Sequence, residues 1–163
     1  MFIDADDYYH PSSLKQAIEY LSTHELDILM CDNSRGHVNH IKQKGIHLNY
    51  NTSILSGKDF FKINGCPFAP WKFIFKKELM IDNHIFFREH VQVEDIDWVI
   101  NIVLHANSIQ YQPIILIHYV LTANSLTAST FNIHNFNDTI ECANCLYLLS
   151  SQSYYKKVKC GKI

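Results

Sequence analysis

The sequence predicts an α/β fold in which helices flank a mixed sheet, and three observations support this prediction. Short apolar segments of strand length alternate with longer segments in which apolar residues recur at helical spacing. Residues 1–3 are apolar, residues 27–32 are a short apolar run between two aspartates, and a helical segment lies between them, which predicts a strand–helix–strand unit with two parallel strands. A buried strand at residues 1–3 has no earlier strand to pair with, so we expect a sheet that is incomplete on its N-terminal side.

Length and composition predict one globular domain over residues 1–163. The chain has 163 residues, of which 47% are hydrophobic and 18% are charged, and this is enough to bury a sizeable core. The net charge of −2 gives no reason to expect nucleic acid as a partner. The 5 cysteines are odd in number, and no secretion signal is visible. We therefore expect a cytoplasmic protein with reduced thiols, and we interpret Cys142 and Cys145 as helix-packing residues.

The first half of the chain predicts two helices, a strand and a polar connection. Residues 11–23 predict a helix, with a proline suited to its first turn. Its apolar residues recur at helical spacing: Leu14, Ala17, Ile18 and Leu21. Residues 27–32 predict the second strand, and residues 33–52 predict a polar loop or a weak hairpin. Ser56 is the expected cap of a short helix that ends by Gly65.

The next part of the chain predicts a strand and two further helices. Residues 66–70 contain two prolines and predict an extended, stiff connection. Residues 71–75 predict a strand that runs into a short helix at residues 76–80. A longer helix begins at Glu94, and its apolar residues follow the helical period: Trp98, Val99, Ile102, Val103 and Ala106.

The last part of the chain predicts two strands and a final helix. Residues 109–111 and 114–121 are apolar segments on either side of Pro113, which predicts two separate strands. His118 lies in the second of them, and we interpret it as a half-buried strand histidine rather than a metal ligand. A C-terminal helix covers residues 134–151, and its apolar residues predict one buried face: Phe136, Ile140, Ala143 and Tyr147.

Two aspartates, Asp4 and Asp6, follow the first predicted strand, and Asp7 comes directly after them. Side chains at i and i+2 of a strand share a face, so both can point into the crevice where open α/β sheets bind ligands. Mg²⁺ and Mn²⁺ prefer oxygen ligands and are commonly held by one or two carboxylates plus substrate phosphates. A turn with capping aspartates is the alternative, but three carboxylates in four positions exceed what one cap needs. We therefore interpret Asp4 and Asp6 as metal ligands.

A second acidic group consists of Glu94, Asp95 and Asp97. Taken alone, acidic residues in the first turn of a helix are explained by their interaction with the helix dipole. The interpretation of this group as part of a functional site depends on its pairing with the upstream aspartates.

Four segments in this order resemble the family 2 glycosyltransferases, which have the GT-A fold. Residues 2–7 are similar to the Asp-x-Asp motif after the family's central strand, and residues 71–79 to its tryptophan-led strand. Residues 83–95, ending in adjacent glutamate and aspartate, resemble its acidic motif, and residues 119–127 resemble the stretch that often follows. The resemblance implies a partial GT-A (Rossmann-like) sheet: a C-terminal portion that lacks the N-terminal nucleotide-binding half.

The resemblance also implies an activity and three principal roles. The enzyme would transfer a sugar from a nucleotide-diphospho-sugar to an acceptor hydroxyl, with inversion at the anomeric carbon. Asp6 would coordinate Mn²⁺ or Mg²⁺ between the two phosphates, and Asp4 would support the metal through water or contact the ribose. Asp95 would be the general base that takes the proton of the acceptor hydroxyl.

Further contacts and partners follow from the same resemblance. Asp7, Trp71 and Glu94 would contact the substrates, with Trp71 stacking on a sugar ring. The expected donor is a UDP-sugar, and the expected acceptor is a saccharide or a lipid-linked saccharide of a surface polysaccharide or glycan. A lipid-linked acceptor would bring this cytoplasmic protein to the inner face of the membrane.

Three positions depart from the family pattern and leave an alternative open. Val120 and Thr122 lie where the family often has arginines, and Phe73 lies where it often has a lysine. The alternative is a catalytically inactive, truncated fragment or a chain that acts only with a partner. An incomplete sheet exposes edge groups and apolar surface, so we also expect either a homo-oligomer that shields the sheet or a monomer of low stability.

Overall fold

The computed structural model describes residues 1–37, 48–65, 67–91, 93–122 and 133–150. The strands are β1 (Tyr8–Tyr9), β2 (Ile28–Gly36), β3 (Phe73–Phe75) and β4 (Ile109–Val120). The helices are α1 (Pro11–Thr23), α2 (Gly57–Asn64), α3 (Lys77–Asp82), α4 (Glu94–His105) and α5 (Ile133–Ser150). A 3₁₀ turn, Pro70–Lys72, leads into β3.

These strands form one mixed sheet in the order β1–β4–β2–β3. The parallel pair at its centre is β2 with β4, from Ile28 opposite Ile109 to Gly36 opposite Val120. β3 runs antiparallel to β2 on one side, and β1 runs antiparallel to β4 on the other. The predicted α/β class, with a mixed sheet and flanking helices, is confirmed.

The strand predicted at residues 1–3 is wrong. Met1, Phe2 and Ile3 have no regular secondary structure, and Met1 and Ile3 are exposed. No strand within the described ranges pairs with this segment, so its backbone lacks the ladder hydrogen bonds that define a strand. Only Phe2 turns inward, where its ring centroid lies 5.1 Å from that of Trp98. The parallel pair is consequently β2 with β4, and not residues 1–3 with β2.

The two strands predicted around Pro113 are one continuous strand, β4. Gln112 lies opposite Cys31, but the next pair joins Ile115 to Asp32, so two residues of β4 bulge out between these pairs. Pro113 is one of the two and is exposed. Its missing N–H therefore interrupts no ladder hydrogen bond, and the strand continues through the proline.

Helices cover both faces of the sheet. Ile28 and Met30 of β2 point into a cluster with Trp98 and the other apolar residues of α4 and α2. Leu29 and Cys31 alternate with them and point to the opposite face, where α1 packs. The helices predicted near residues 11–23, 57–64 and 94–105 are confirmed, and the cap of α2 is Ser56, as predicted.

The last predicted helix is present as α5, but its predicted buried face is wrong. Cys142 is buried, as expected for a helix-packing residue, and Arg88 Nη1 lies 3.6 Å from Glu141 Oε2. α5 contacts α4, and the buried residue among its described side chains is Cys142 rather than a member of the predicted apolar stripe. The residues predicted to be buried are exposed: Phe136, Ile140, Ala143 and Tyr147.

Parts of several predictions lie outside the described residues. They concern residues 38–47 of the polar connection, Cys66, residues 123–132 in the last motif segment, and the end of the final helix beyond residue 150. The side chain of Cys145 also lies outside them. Of the helices in the described ranges, none combines the length and the apolar character needed to cross a membrane.

Candidate functional site

A cavity of about 400 Å³ opens beside the N-terminal end of α4. Three carboxylate side chains from two distant parts of the sequence line it: Asp4, Glu94 and Asp95. Aromatic rings form much of the remaining wall: Phe2, Trp71 and Phe87. The cavity therefore combines acidic groups with flat apolar surfaces, a combination that suits a polar ligand with apolar faces.

Backbone and aromatic contacts on either side of Asp4 bring it to this cavity. The N–H of Asp7 donates a hydrogen bond to the carbonyl oxygen of Asp4 at 3.1 Å, which closes a tight turn. On the N-terminal side, the Phe2 ring packs on Phe87 and Trp98, with centroid distances of 5.1 Å to each. The acidic turn is thereby attached to the aromatic core, with Asp4 at the rim of the cavity.

Asp95 reaches the same cavity from the first turn of α4. The pKa of Asp95 is raised to about 6, first by burial and then by the negative charges of Glu94 and Asp4. The pKa of Asp4 is also raised, first by burial and then by the charge of Asp6. Asp4 and Asp95 therefore share one electrostatic environment, although they are far apart in the sequence.

Asp6 and Asp7 belong to the same acidic turn but do not line the cavity. Asp6 is exposed, and the Thr122 hydroxyl donates a hydrogen bond to its Oδ2 at 3.4 Å. Asp7 Oδ1 accepts a hydrogen bond from the Val120 N–H at 2.8 Å, which attaches the turn to the end of β4. Burial raises the pKa of Asp7. Asp7 Oδ2 is buried and has no hydrogen-bond partner in the described part of the chain.

The carboxylates of the acidic turn fit a hard cation that takes some of its ligands from the protein and the rest from a substrate. Asp4 and Asp6 supply exposed carboxylate oxygens two positions apart. Within the described ranges, no three residues among the histidines, cysteines, aspartates and glutamates are grouped closely enough to hold a metal. This is not the ligand set of a protein-only site such as structural zinc. It does fit Mg²⁺ or Mn²⁺, which are held by one or two carboxylates plus the phosphates of a ligand.

The structure places two more of the predicted site residues on the cavity wall. Trp71, at the 3₁₀ turn before β3, lines the cavity, and its ring stacks on Tyr119 with a centroid distance of 5.7 Å. Glu94 lies beside Asp95 and raises its pKa. The cavity therefore brings together four of the six predicted site residues: Asp4, Trp71, Glu94 and Asp95.

Two cavity residues, Arg88 and His90, were not predicted from the sequence. Arg88 donates a hydrogen bond from Nε to Asp97 Oδ2, so the third acid of the second acidic group holds this arginine in place. His90 has a positive φ of 61°, in the turn before α4. The motif segment 83–95 spans this connection between α3 and α4, but its match singles out the acidic residues at its end and neither Arg88 nor His90. The one signal in the sequence is a cationic residue shortly before an acidic helix start.

His118 is fully buried, which corrects its prediction as a half-buried strand histidine. Its Nδ1 is hydrogen-bonded to Ser34 Oγ at 2.8 Å, and its ring lies 4.9 Å from that of Tyr8, between centroids. His118 is buried because β1 pairs with β4 and places Tyr8 opposite it. It does not line the cavity.

No model of a known protein family and no curated protein matches this chain. Its structure is similar to solved structures of S. aureus TarS, a glycosyltransferase. For TarS 1-349 in complex with UDP-GlcNAc, the TM-score is 0.69 at 19% identity, over 93% of this chain and 43% of that chain. For TarS 1-349 in complex with UDP, the TM-score is 0.58 at 20% identity, over 98% of this chain and 50% of that chain.

The chain thus spans 43% and 50% of the length of these two TarS chains. Identities of 19% and 20% establish a shared fold and not a shared activity. The chain has the α/β fold of part of the glycosyltransferase TarS.

Proposed function

We propose that this chain is part of a metal-dependent glycosyltransferase that transfers a sugar from a nucleotide-diphospho-sugar to an acceptor hydroxyl with inversion. The observation that carries the proposal is the position of Asp95 on the same cavity as Asp4, with a pKa raised to about 6. The likeness to TarS supports it, because structures of that protein contain UDP-GlcNAc and UDP. A UDP-sugar is therefore the proposed donor.

Asp95 is the proposed general base. A carboxyl group with a pKa of about 6 is ionised at neutral pH, yet it is a stronger base than an ordinary exposed aspartate. It accepts the proton of the acceptor hydroxyl while the hydroxyl oxygen forms a bond to the anomeric carbon. The bond between that carbon and the diphosphate oxygen breaks in the same step. Attack on the face opposite the departing diphosphate inverts the configuration at the anomeric carbon.

Asp4 and Asp6 would hold Mn²⁺ or Mg²⁺ together with the phosphates of the donor. The cation, when bound, supplies Lewis-acid stabilisation of the charge that develops on the diphosphate. Asp7 attaches the turn that carries both carboxylates to β4, and the substrate contact expected of Asp7 stays a prediction. These roles explain why one short turn would carry three aspartates.

Trp71 and Glu94 are the proposed acceptor contacts on the cavity wall. The flat indole provides an apolar surface for the C–H face of a sugar, and the Glu94 carboxylate accepts hydrogen bonds from sugar hydroxyls. The proposed acceptor is a saccharide or a lipid-linked saccharide in the synthesis of a surface polysaccharide or glycan. We place this activity in the cytoplasm, at the inner face of the membrane where the acceptor is lipid-linked.

A second candidate is a chain that acts only when another chain completes its binding site. The observation that favours it is the share of TarS that this chain spans, 43% in the UDP-GlcNAc complex. This candidate retains the cavity and its carboxylates but requires a partner for the nucleotide. A catalytically inactive fragment is its limiting case.

Isothermal titration of UDP in the presence of Mn²⁺ tests the metal assignment. We expect binding that requires Mn²⁺, and we expect Asp6→Ala to weaken it by more than about tenfold, because one carboxylate ligand is lost. Asp82→Ala is the matched control, since Asp82 is an exposed aspartate at the end of α3. Unchanged binding in Asp6→Ala contradicts the assignment. Absence of binding in the wild-type chain favours the partner-dependent candidate.

A transfer assay with UDP-GlcNAc and oligosaccharide acceptors tests the role of Asp95. Asp95→Asn is expected to lower the rate by about 10²- to 10⁴-fold, because the amide cannot accept the proton. The affinity for UDP with Mn²⁺ should stay at the wild-type value in this variant. Near-normal turnover of Asp95→Asn removes Asp95 from its proposed role.

A further inference from the structure

Lys72, next to the cavity residue Trp71, is buried although it carries an ammonium group. Only 7% of the residue is exposed, and its Nζ donates a hydrogen bond to Asn33 Oδ1 at 2.7 Å. The same nitrogen lies 5.4 Å from the centroid of the Trp71 ring, within the range of a cation–π interaction. A buried lysine is costly to maintain, so its contacts require a structural or functional explanation.

The Trp71 ring also contacts an aromatic residue, Tyr119 on β4. The two rings are stacked, with centroids 5.7 Å apart and an interplanar angle of 28°. Trp71 lines the cavity and Tyr119 does not, so Tyr119 supports the indole from outside the cavity. The guanidinium carbon of Arg35 lies 5.6 Å from the centroid of the Tyr119 ring. Two cations and two rings therefore form one continuous set of contacts: Lys72, Trp71, Tyr119 and Arg35.

This set of contacts is attached to the centre of the sheet. Asn33, which accepts the hydrogen bond of Lys72, belongs to β2, and its Nδ2 donates to the carbonyl oxygen of Ser34 at 3.2 Å. The neighbouring Asp32 is fully buried and accepts a hydrogen bond from the Tyr111 hydroxyl at 2.9 Å. Burial lowers the pKa of Lys72, and the charge of Asp32 acts in the opposite direction and favours the ammonium form. The central strand β2 thus supplies both the acceptor and the negative charge that retain a cation beside Trp71.

We propose that Lys72 and Tyr119 are positioning residues that fix the Trp71 indole as a rigid wall against which a pyranose ring binds. The inference rests on the proposed glycosyl transfer for the identity of the ligand, but the fixing of Trp71 stands on the contacts alone. An indole restrained by a cation and by a stacked ring loses little further freedom when a ligand binds, which favours affinity. The C–H face of a saccharide suits such a wall, because it is flat and apolar.

Fluorine NMR of protein labelled with 5-fluorotryptophan tests the positioning without any ligand. The chain has 2 tryptophans, so Trp71 and the core residue Trp98 each give one resonance. In Lys72→Met we expect the Trp71 resonance to shift and broaden while the Trp98 resonance stays, and Tyr119→Leu should act in the same way. Lys76→Met is the control, because Lys76 pairs with Asp27 away from Trp71. An unchanged Trp71 resonance in both test variants overturns the proposal.

Titration of the same labelled proteins with methyl glucopyranoside and N-acetylglucosamine tests the ligand. We expect these sugars to shift the Trp71 resonance of the wild-type protein, with about tenfold weaker binding in Lys72→Met. Lys72→Arg should restore affinity, because it retains a cation beside the indole. Wild-type affinity in Lys72→Met overturns the positioning role. If Trp71 is released in Lys72→Met but neither sugar binds the wild-type protein, the positioning holds and the saccharide assignment fails.

Discussion

At the residue scale, Asp95 combines a proposed catalytic role with an unfavourable contribution to stability. Its pKa rises from the ordinary value of 3.8 to about 6 in the folded protein. Between about pH 4 and pH 6 the folded protein therefore holds a proton that the unfolded chain has released. Stability falls as the pH rises through this window, and the full cost of the buried charge persists above pH 6. A residue kept at such a cost is a candidate for function.

We therefore predict that Asp95→Asn stabilises the protein at pH 8 and has little effect at pH 4. The amide removes the buried charge, and we expect a rise in Tm of about 3 °C at pH 8, a value reduced for solvent screening of a half-buried group. Thermal unfolding followed by circular dichroism at both pH values measures the difference. The exposed Asp82→Asn serves as the control. A lower Tm for Asp95→Asn at pH 8 contradicts the predicted burial of its charge.

The sequence predicts the acidic residues of the site better than the cationic and supporting ones. Asp4 and Asp95 were assigned to one site because each acid belongs to a motif with a known order along the chain, and the structure brings both to one cavity. Arg88 and Lys72 were not assigned, because a lone cation has no spacing that marks it. Their positions depend on Asp97 and Asn33, which reach them only through the tertiary fold.

At the scale of elements, the contact between α2 and α4 depends on a glycine. A Cβ built on Gly57 lies 1.7 Å from the carbonyl oxygen of Val103, so any larger residue at the start of α2 collides with the backbone of α4. The Gly57 N–H also donates a hydrogen bond to the Ala106 carbonyl oxygen at 2.9 Å, which joins the two helix ends. This contact fixes α4, whose opposite end carries Asp95 to the cavity.

We predict that Gly57→Ala destabilises the fold by about 3 kcal/mol, since the neighbouring atom is backbone and cannot rotate away. Urea unfolding gives the free energy directly. Lys62→Ala in the same helix is the control and should change stability by less than about 0.5 kcal/mol, because its pair with Asp59 is exposed. A Gly57→Ala protein as stable as the control means that α2 and α4 are farther apart than described.

The elements with strong local signals were predicted correctly, and those decided by long-range pairing were not. Ser56 and the glycine after Asn64 mark both ends of α2 in the sequence, and the structure follows them. Pro113 suggested a break in β4, but the bulge opposite β2 accommodates it, and a bulge has no signature in one sequence. Residues 1–3 have the composition of a strand but lack a pairing partner in the described structure.

At the scale of the whole molecule, exposed apolar residues on α5 bear on the association state. Phe136 and Ile140, one helical turn apart, are 50% and 44% exposed, and they share an exposed face with Tyr147. Exposed apolar surface of this kind favours association or lowers stability. The homo-oligomer expected from the sequence therefore stays a prediction, and the exposed apolar residues of α5 are a candidate contact surface for it.

We predict that the chain self-associates at micromolar concentration and that the double variant Phe136→Ser, Ile140→Ser weakens the association by about tenfold, because it removes apolar contact area. Sedimentation velocity over a concentration series measures this. The matched control is Ile63→Ser on α2, where an isoleucine is 58% exposed on a different helix. A wild-type monomer with a high Tm contradicts the expectation.

The central claim is that Asp4 and Asp95 face one cavity and act on each other there. Titration of the ¹³C-labelled Asp95 carboxyl group by NMR, in protein freed of metal with a chelator, tests it most directly. The account predicts a pKa of about 6 for Asp95 in the wild-type protein and a lower pKa in Asp4→Asn, because one of the charges that raise it is removed. A pKa near the ordinary 3.8 that Asp4→Asn leaves unchanged would contradict the account.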